Sequence, residues 1–285
     1  MDKIIRKPYC RNWYPETLDE VKSFIPLQKE KADAKIILGV VPHAGWAYSG
    51  KVAGAVYGSI PAADTIIFIA TNHTGMGPES SLFPNGIWQT SFGELSIDSE
   101  FSESLLEISE TLKPDLQAHL FEHAIEVQLP FLFALYPQSK IVPIEMRDYR
   151  LETCREIGSS IAHSIEKMTK KYPDKKYVII ASSDMSHCGE RYGQSPPKNV
   201  SPDQFAKKQD QIAIEQILNL DNEKLLKVVK GNEITMCGSG PVATVIEAAK
   251  KLGKQKVTLL DYRTSADVSG EDSELAVGYA SILIQ

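Results

Sequence analysis

Three short apolar runs constrain the fold of this chain most, because each of them leads to a histidine. The runs IILGVV, TIIFIA and YVIIA are followed, within a few residues, by His43, His73 and His187. Short runs rich in β-branched residues are typical of buried strands. In open parallel sheets, ligands bind outside the carboxyl ends of the strands. The chain has six histidines, and this recurrence predicts that three of them converge on one pocket.

Strand patterns alternate with helix patterns along most of the chain. We predict strands ending near Val41 and over 65–70, 141–146, 177–181, 257–262 and 275–284, and helices over 49–60, 98–113, 122–136, 152–171, 204–218 and 223–229. Such alternation is typical of an α/β fold with a largely parallel central sheet and helices on both of its faces. The Gly-punctuated, aromatic stretch 80–96 predicts a small antiparallel addition. Because the chain has neither a low-complexity linker nor an internal repeat, we expect a single domain over 1–285.

Composition excludes several classes of function. The hydrophobic content of 42% and charged content of 24% are those of a soluble globular protein. A net charge of −6 without a basic tail argues against a nucleic-acid partner. There is no apolar stretch long enough to cross a membrane and no signal-peptide pattern at the start, so we expect a cytoplasmic protein with no membrane partner. The four cysteines are far apart and form no CxxC pair, which argues against a zinc ribbon and against a disulfide framework.

Histidines at neighbouring strand ends point to metal chemistry. Neutral imidazole is the commonest protein metal ligand, and two or three of them form half of a site for zinc, iron or copper. Asp184 shares the turn SSDMSH with His187, where its carboxylate could orient an imidazole, ligate a metal or cap a helix.

His123 lies in EHAIEVQLPFL, within the predicted helix 122–136. In that helix Glu122 and Glu126 would share one face, either toward the pocket or as a solvated or capping pair. We assign His123 to the pocket.

Cys237 precedes a predicted helix in the segment MCGSGPVATVIEAAKK. A helix N-terminus stabilises a thiolate, which would make Cys237 a nucleophile or a soft metal ligand. A small buried apolar side chain is the alternative. The glycines after it and Pro241 at the helix start favour a shaped anion or metal pocket.

Five motifs together resemble the Memo family. VPHAGWAYSG, TNHTG, EHAIEVQLPFL, SSDMSH and MCGSGPVATVIEAAK occur in that family's order and spacing, and Trp13-Tyr14-Pro15 resembles its N-terminal WY element. The family is similar in fold to class III extradiol ring-cleavage dioxygenases, which hold non-haem Fe(II) on two histidines and a carboxylate. The resemblance implies that His43 and His73 are metal ligands, that His187 is an acid/base, and that Cys237 replaces the carboxylate. It also implies a redox-active iron or copper site, with zinc as an alternative.

The same resemblance implies partners as well as a site. In animals the family has a role in receptor signalling through phosphotyrosine peptides, and in prokaryotes it is associated with the AmmeMemoRadiSam set of proteins. A protein or phosphopeptide partner is therefore expected beside an unidentified small-molecule substrate.

Three functions follow from these residues. The first is a metal-dependent oxidoreductase with His43, His73 and Cys237 around one ion and His187, Asp184 and His123 in catalytic roles. The second is a hydrolase in which Cys237 is a nucleophile activated by His187, with Asp184 orienting the base. The third is a non-catalytic phosphopeptide-binding protein.

Overall fold

The computed structural model describes residues 4–26, 34–271 and 274–285. The strands are β1 (Ile5–Arg6), β2 (Ile36–Val41), β3 (Thr65–Thr71), β4 (Ser80–Leu82), β5 (Ile87–Thr90), β6 (Gly93–Ser96), β7 (Lys113–Pro114), β8 (Lys140–Met146), β9 (Tyr177–Ser182), β10 (His187–Cys188), β11 (Val257–Thr264) and β12 (Ala276–Ile284). The helices are α1 (Leu18–Ser23), α2 (Trp46–Ser59), α3 (Ser99–Ile108), α4 (Gln117–Leu120), α5 (Leu129–Leu135), α6 (Leu151–Lys171), α7 (Pro202–Leu218), α8 (Asn222–Gly231), α9 (Ser239–Lys251) and α10 (Ser265–Ser269). None of these helices is long and apolar enough to cross a membrane.

The centre of the main sheet is parallel. Its strands run in the order β10-β12-β2-β9-β3-β8-β4-β7, with β11 paired to β12. The strands β2, β9, β3 and β8 are parallel neighbours, whereas β12 and β4 flank them antiparallel. The predicted α/β fold with a largely parallel sheet is confirmed. Because β9 lies between β2 and β3, the carboxyl ends of these three strands are adjacent.

Alternating side chains of the central strands bury two apolar layers. In β3, Ile67 and Ile69 belong to the core beneath α6 and α9, whereas Ile66 and Phe68 belong to the core beneath α2 and α5. Successive residues of a strand point to opposite faces, so a continuous apolar run requires cover on both sides. The helices supply that cover, as the run of apolar residues predicts.

The antiparallel addition predicted for 80–96 is also present. β5 and β6 form an antiparallel pair, and β1 adds to β5 in parallel to complete a three-stranded sheet. β4 instead joins the edge of the main sheet against β8.

The helix predicted over 122–136 is wrong in its first half. α4 ends at Leu120, a loop follows, and a 3-10 turn over Glu126–Gln128 leads into α5. The carboxylate of Glu122 accepts the backbone N–H groups of His123 and Ala124. A side chain that captures neighbouring backbone donors competes with the helical hydrogen bonds. Glu122 and His123 therefore lie in a loop above the sheet edge.

Candidate metal centre

The polar residues of the site follow the carboxyl ends of three adjacent strands. His43 comes two residues after β2, His73 two residues after β3 and Asp184 two residues after β9. The parallel pairing of these strands brings the three loops to one edge. His43 and His73 lie together there, with ring centroids 5.2 Å apart.

A third histidine completes a compact cluster. Each imidazole of His43, His73 and His123 offers one nitrogen within 4.8 Å of the others. The ring of His123 lies 5.4 Å from that of His43 and 4.8 Å from that of His73. The sequence assigned His123 a catalytic role, and the structure places it among the candidate ligands.

Hydrogen bonds determine which nitrogen of His43 carries the proton. The hydroxyl of Ser182 donates to the carbonyl of Ala124 at 2.7 Å, so its oxygen must accept from other groups. Those groups are the side-chain amide of Gln128 at 3.1 Å and Nδ1 of His43 at 3.1 Å. His43 is therefore protonated on Nδ1, and its Nε2 lone pair is available to a metal.

Glu122 determines the tautomers of the other two imidazoles. Its Oε1 lies 3.0 Å from Nδ1 of His73 and 3.1 Å from Nδ1 of His123. A carboxylate oxygen accepts, so both Nδ1 atoms donate, and in the neutral form of each ring the lone pair is on Nε2. A histidine that binds a metal usually donates its other ring N–H to a carboxylate in this way.

Burial and these contacts set the charges of the cluster. Burial lowers the pKa of His43 to about 3, against the opposing effect of Asp184, so this imidazole is neutral at pH 7. Burial alone would raise the pKa of Glu122, but the hydrogen bonds from His123 and His73 outweigh it and hold the pKa well below its usual range. An ionised carboxylate thus lies behind the imidazoles.

Cys237 lies beside His43 but outside the three-histidine group. Its Sγ is 3.3 Å from Nε2 of His43 and 3.6 Å from the carbonyl oxygen of Asp184. Nitrogen and sulfur ligands of one tetrahedral ion lie about 3.5 Å apart, so Cys237 and His43 could bind the same ion. Burial, with Asp184 nearby, raises the pKa of the Cys237 thiol well above its usual range. In the metal-free protein Cys237 is a thiol, although the position before α9 suggested a stabilised thiolate.

Asp184 and His187 line the same cavity but are not hydrogen-bonded to each other. Oδ1 of Asp184 accepts the backbone N–H groups of His43, at 2.8 Å, and Ala44, at 3.2 Å. Asp184 therefore holds the loop after β2 and neither caps a helix nor orients His187. Nδ1 of His187 lies 3.1 Å from each of the carbonyls of Met185 and Thr235. Carbonyls only accept, so His187 also has a free Nε2 lone pair.

The cavity above the imidazoles has a volume of about 510 Å³. This is large enough for a small organic molecule. Its wall includes His187 and Asp184 beside the cluster, and four aromatic side chains, Trp13, Tyr48, Tyr192 and Tyr279.

The N-terminal segment supplies Trp13 through a buried anchor. The carboxylate of Glu126 accepts the backbone N–H groups of Tyr9 and Cys10 and the hydroxyl of Tyr14, and it pairs with Arg6. The ring of Trp13 then lies 4.6 Å from that of His123. Glu126 is thus a buried anchor rather than a solvated or capping residue.

Several residues of the site are not identifiable from the sequence pattern. Ser182 and Gln128 fix His43, and Glu122 fixes two imidazoles, yet each acts on a partner far away in the chain. The only local signal is the pair Glu122-His123, whose carboxylate and imidazole are neighbours in sequence.

Comparison with known proteins identifies the family. The family model described as "Memo-like protein" matches residues 9–283. A MEMO1 family protein of Sulfurisphaera tokodaii is 41% identical over 262 residues, which is 90% of this chain and 85% of that protein. One of Sulfolobus acidocaldarius is 40% identical over 284 residues, 98% and 92% of the two chains. An uncharacterized protein of Escherichia coli K12, JW3007, shares the fold with a TM-score of 0.53 at 13% identity, over 87% of this chain and 99% of that one. The chain therefore belongs to the Memo family.

Proposed function

We propose that this protein is a metal-dependent oxidoreductase whose iron or copper ion is held by His43, His73 and His123. One observation carries the proposal. In all three imidazoles Nδ1 is held by Ser182 or Glu122, which leaves Nε2 for a metal, and each ring offers one nitrogen within 4.8 Å of the others. Neutral nitrogen donors of this kind suit iron, copper and zinc.

Three protein ligands and an open cavity are the pattern of a catalytic rather than a structural site. A bound iron or copper ion would supply Lewis-acid and redox chemistry at the base of the cavity. The redox role goes beyond metal binding itself, and the resemblance to extradiol dioxygenases supports it. Zinc would give Lewis-acid chemistry only.

The residues around the cluster have separate tasks. The free Nε2 of His187 can accept a proton from a substrate hydroxyl, because its Nδ1–H already donates to two carbonyls. Asp184 holds the loop that carries His43 through two backbone hydrogen bonds. Trp13 packs against the ring of His123, with the two ring centroids 4.6 Å apart.

The cysteine-nucleophile alternative has weaker support. It requires Cys237 next to His187, whereas the thiol contacts Nε2 of His43. It also requires a thiolate, whereas burial raises the pKa of Cys237. The phosphopeptide alternative lacks a cationic partner, since no Lys or Arg of the described residues lines the cavity.

Elemental analysis of protein purified without chelator, followed by calorimetric metal titration of variants, tests the proposal. His43→Ala, His73→Ala and His123→Ala should each weaken binding by more than about 100-fold, the upper end of what losing an outer partner costs. The control is His163→Ala, which removes an exposed imidazole on α6 and should bind as the parent does. Metal affinity that survives in all three site variants would refute the metal centre.

The redox part needs its own measurement. Oxygen consumption with a catechol and with ascorbate should depend on iron or copper and should be lost in His187→Ala while metal binding is retained. Turnover that is equal with zinc would refute the oxidoreductase assignment and leave a Lewis-acid site.

A further inference from the structure

The cavity above the imidazoles has aromatic and acidic walls. Trp13, Tyr48, Tyr192 and Tyr279 line it, together with the carboxylates of Asp184 and Glu271. In the described part of the chain, no Lys or Arg side chain joins them. Lys51 and Arg263 open into a separate depression on the other side of Tyr48, where Arg263 pairs with Asp261.

Glu271 is the exposed carboxylate of this lining, whereas Asp184 is buried beside His43, with Oδ2 of Asp184 4.0 Å from Nε2 of His43. The carboxylate of Glu271 is without a cationic partner among the described residues of the lining.

Aromatic faces attract cations. A cation over Trp or Tyr is stabilised by the ring quadrupole, and Trp is the strongest of these partners. Trp13, Tyr48 and Tyr192 are each 41–47% exposed, so part of each side chain is accessible to a ligand. Aromatic rings beside a carboxylate that has no ion pair with any described residue are therefore suited to an ammonium group and unsuited to a phosphate or carboxylate.

We propose that the substrate of this site carries a protonated amine, which lies among Trp13, Tyr48 and Tyr192 near Glu271 while its other end faces the imidazoles. This inference rests on the proposed function for the end of the substrate that faces the metal, but it concerns the charge of the substrate's other end. It distinguishes a cationic amine from the anionic ligands that a phosphopeptide-binding role would require.

Three probes of one skeleton and different charge test the proposal in metal-free protein. They are 2-phenylethylamine, 2-phenylethanol and 3-phenylpropionate, with dissociation constants measured by ligand-observed NMR. The ammonium should bind about tenfold or more tightly than the carboxylate, with the alcohol between them. Equal affinities, tighter binding of the carboxylate, or no binding of the ammonium overturns the proposal.

Two matched variants assign the preference to the cavity. Glu271→Gln should reduce the preference for the ammonium by about threefold to tenfold. Glu274→Gln removes a charge from the same loop at a residue outside the lining and should leave the preference unchanged. An unchanged preference in Glu271→Gln, or an equal loss in both variants, overturns the assignment. Metal titration fails or succeeds independently of these measurements, so the two proposals can be refuted separately.

Discussion

Replacing Glu122 should weaken metal binding without removing any metal ligand. Its Oε1 receives Nδ1–H of His73 and of His123, and also the backbone N–H groups of His123 and Ala124. Its Oε2 receives the backbone N–H of His73. In Glu122→Gln, one oxygen becomes an amide that donates, so at least one of these donors loses its acceptor.

The size of the loss in metal affinity depends on how many imidazoles lose the hydrogen bond that orients them. Losing an outer partner typically costs 10–100-fold in metal affinity. Glu122→Gln can keep a carbonyl at the Oε1 position, so we expect a loss on the order of 10–100-fold. Glu122→Ala frees two imidazoles, and the loss could approach about 10⁴-fold if the two effects multiply.

Calorimetric titration with Zn²⁺ is the assay, because zinc reports affinity without redox side reactions. Glu156→Gln is the matched control, since this carboxylate on α6 also accepts a backbone N–H and side-chain hydroxyls but lies away from the cluster. Thermal unfolding must show that each variant is folded. Wild-type affinity in both folded Glu122 variants would refute the orienting role.

Three further predictions concern stability. Burial raises the pKa of Asp210 to about 6, so the favourable contribution of this residue to the free energy of unfolding is complete below about pH 4 and is lost as the pH rises through 6. In urea unfolding, Asp210→Asn should therefore gain about 3 kcal/mol of stability relative to wild type across that window. Parallel pH profiles of the two proteins would contradict this. Gly158→Ala places a Cβ 2.6 Å from the carbonyl oxygen of Thr244, and should lower the free energy of unfolding by about 1–3 kcal/mol, whereas an unchanged value would mean that α6 and α9 separate easily. Arg6→Met leaves Glu126 buried without its ion-pair partner and should cost about 3–5 kcal/mol. The double variant that also carries Glu126→Gln should recover part of this loss. Urea unfolding checks this, and a double variant no more stable than Arg6→Met would contradict it.

The strands, and the sheet edge at which the site lies, could be predicted from the sequence. Both depend only on local apolar runs and on one topological rule. Each of β2, β3 and β9 is a short apolar run, and burial of both sheet faces explains why the runs do not alternate with polar residues. Parallel pairing then places the following loops at one edge. His43 and His73 satisfy both conditions.

The role of His123 could not be predicted in the same way. The apolar spacing of 122–136 fits a helical period, but Glu122 binds the backbone of its own loop and the imidazole of His73, which is 49 residues earlier. Periodicity describes which face of an element is apolar. It contains no information on a side chain that prefers a distant partner to its own helix.

The arrangement of strands also explains why the third ligand is the least predictable part of the site. β9 lies between β2 and β3, and the loops after β2 and β3 carry His43 and His73, whose ring centroids are 5.2 Å apart. His123 joins this pair from the loop after α4, whereas Cys237 approaches His43 from the segment before α9. A third imidazole suits iron, copper and zinc alike, whereas a thiolate favours softer ions and requires the buried thiol to lose its proton. The choice between them therefore decides which metal the site prefers: a larger loss of affinity in His123→Ala than in Cys237→Ser identifies the three-histidine site, and the reverse order identifies the thiolate site.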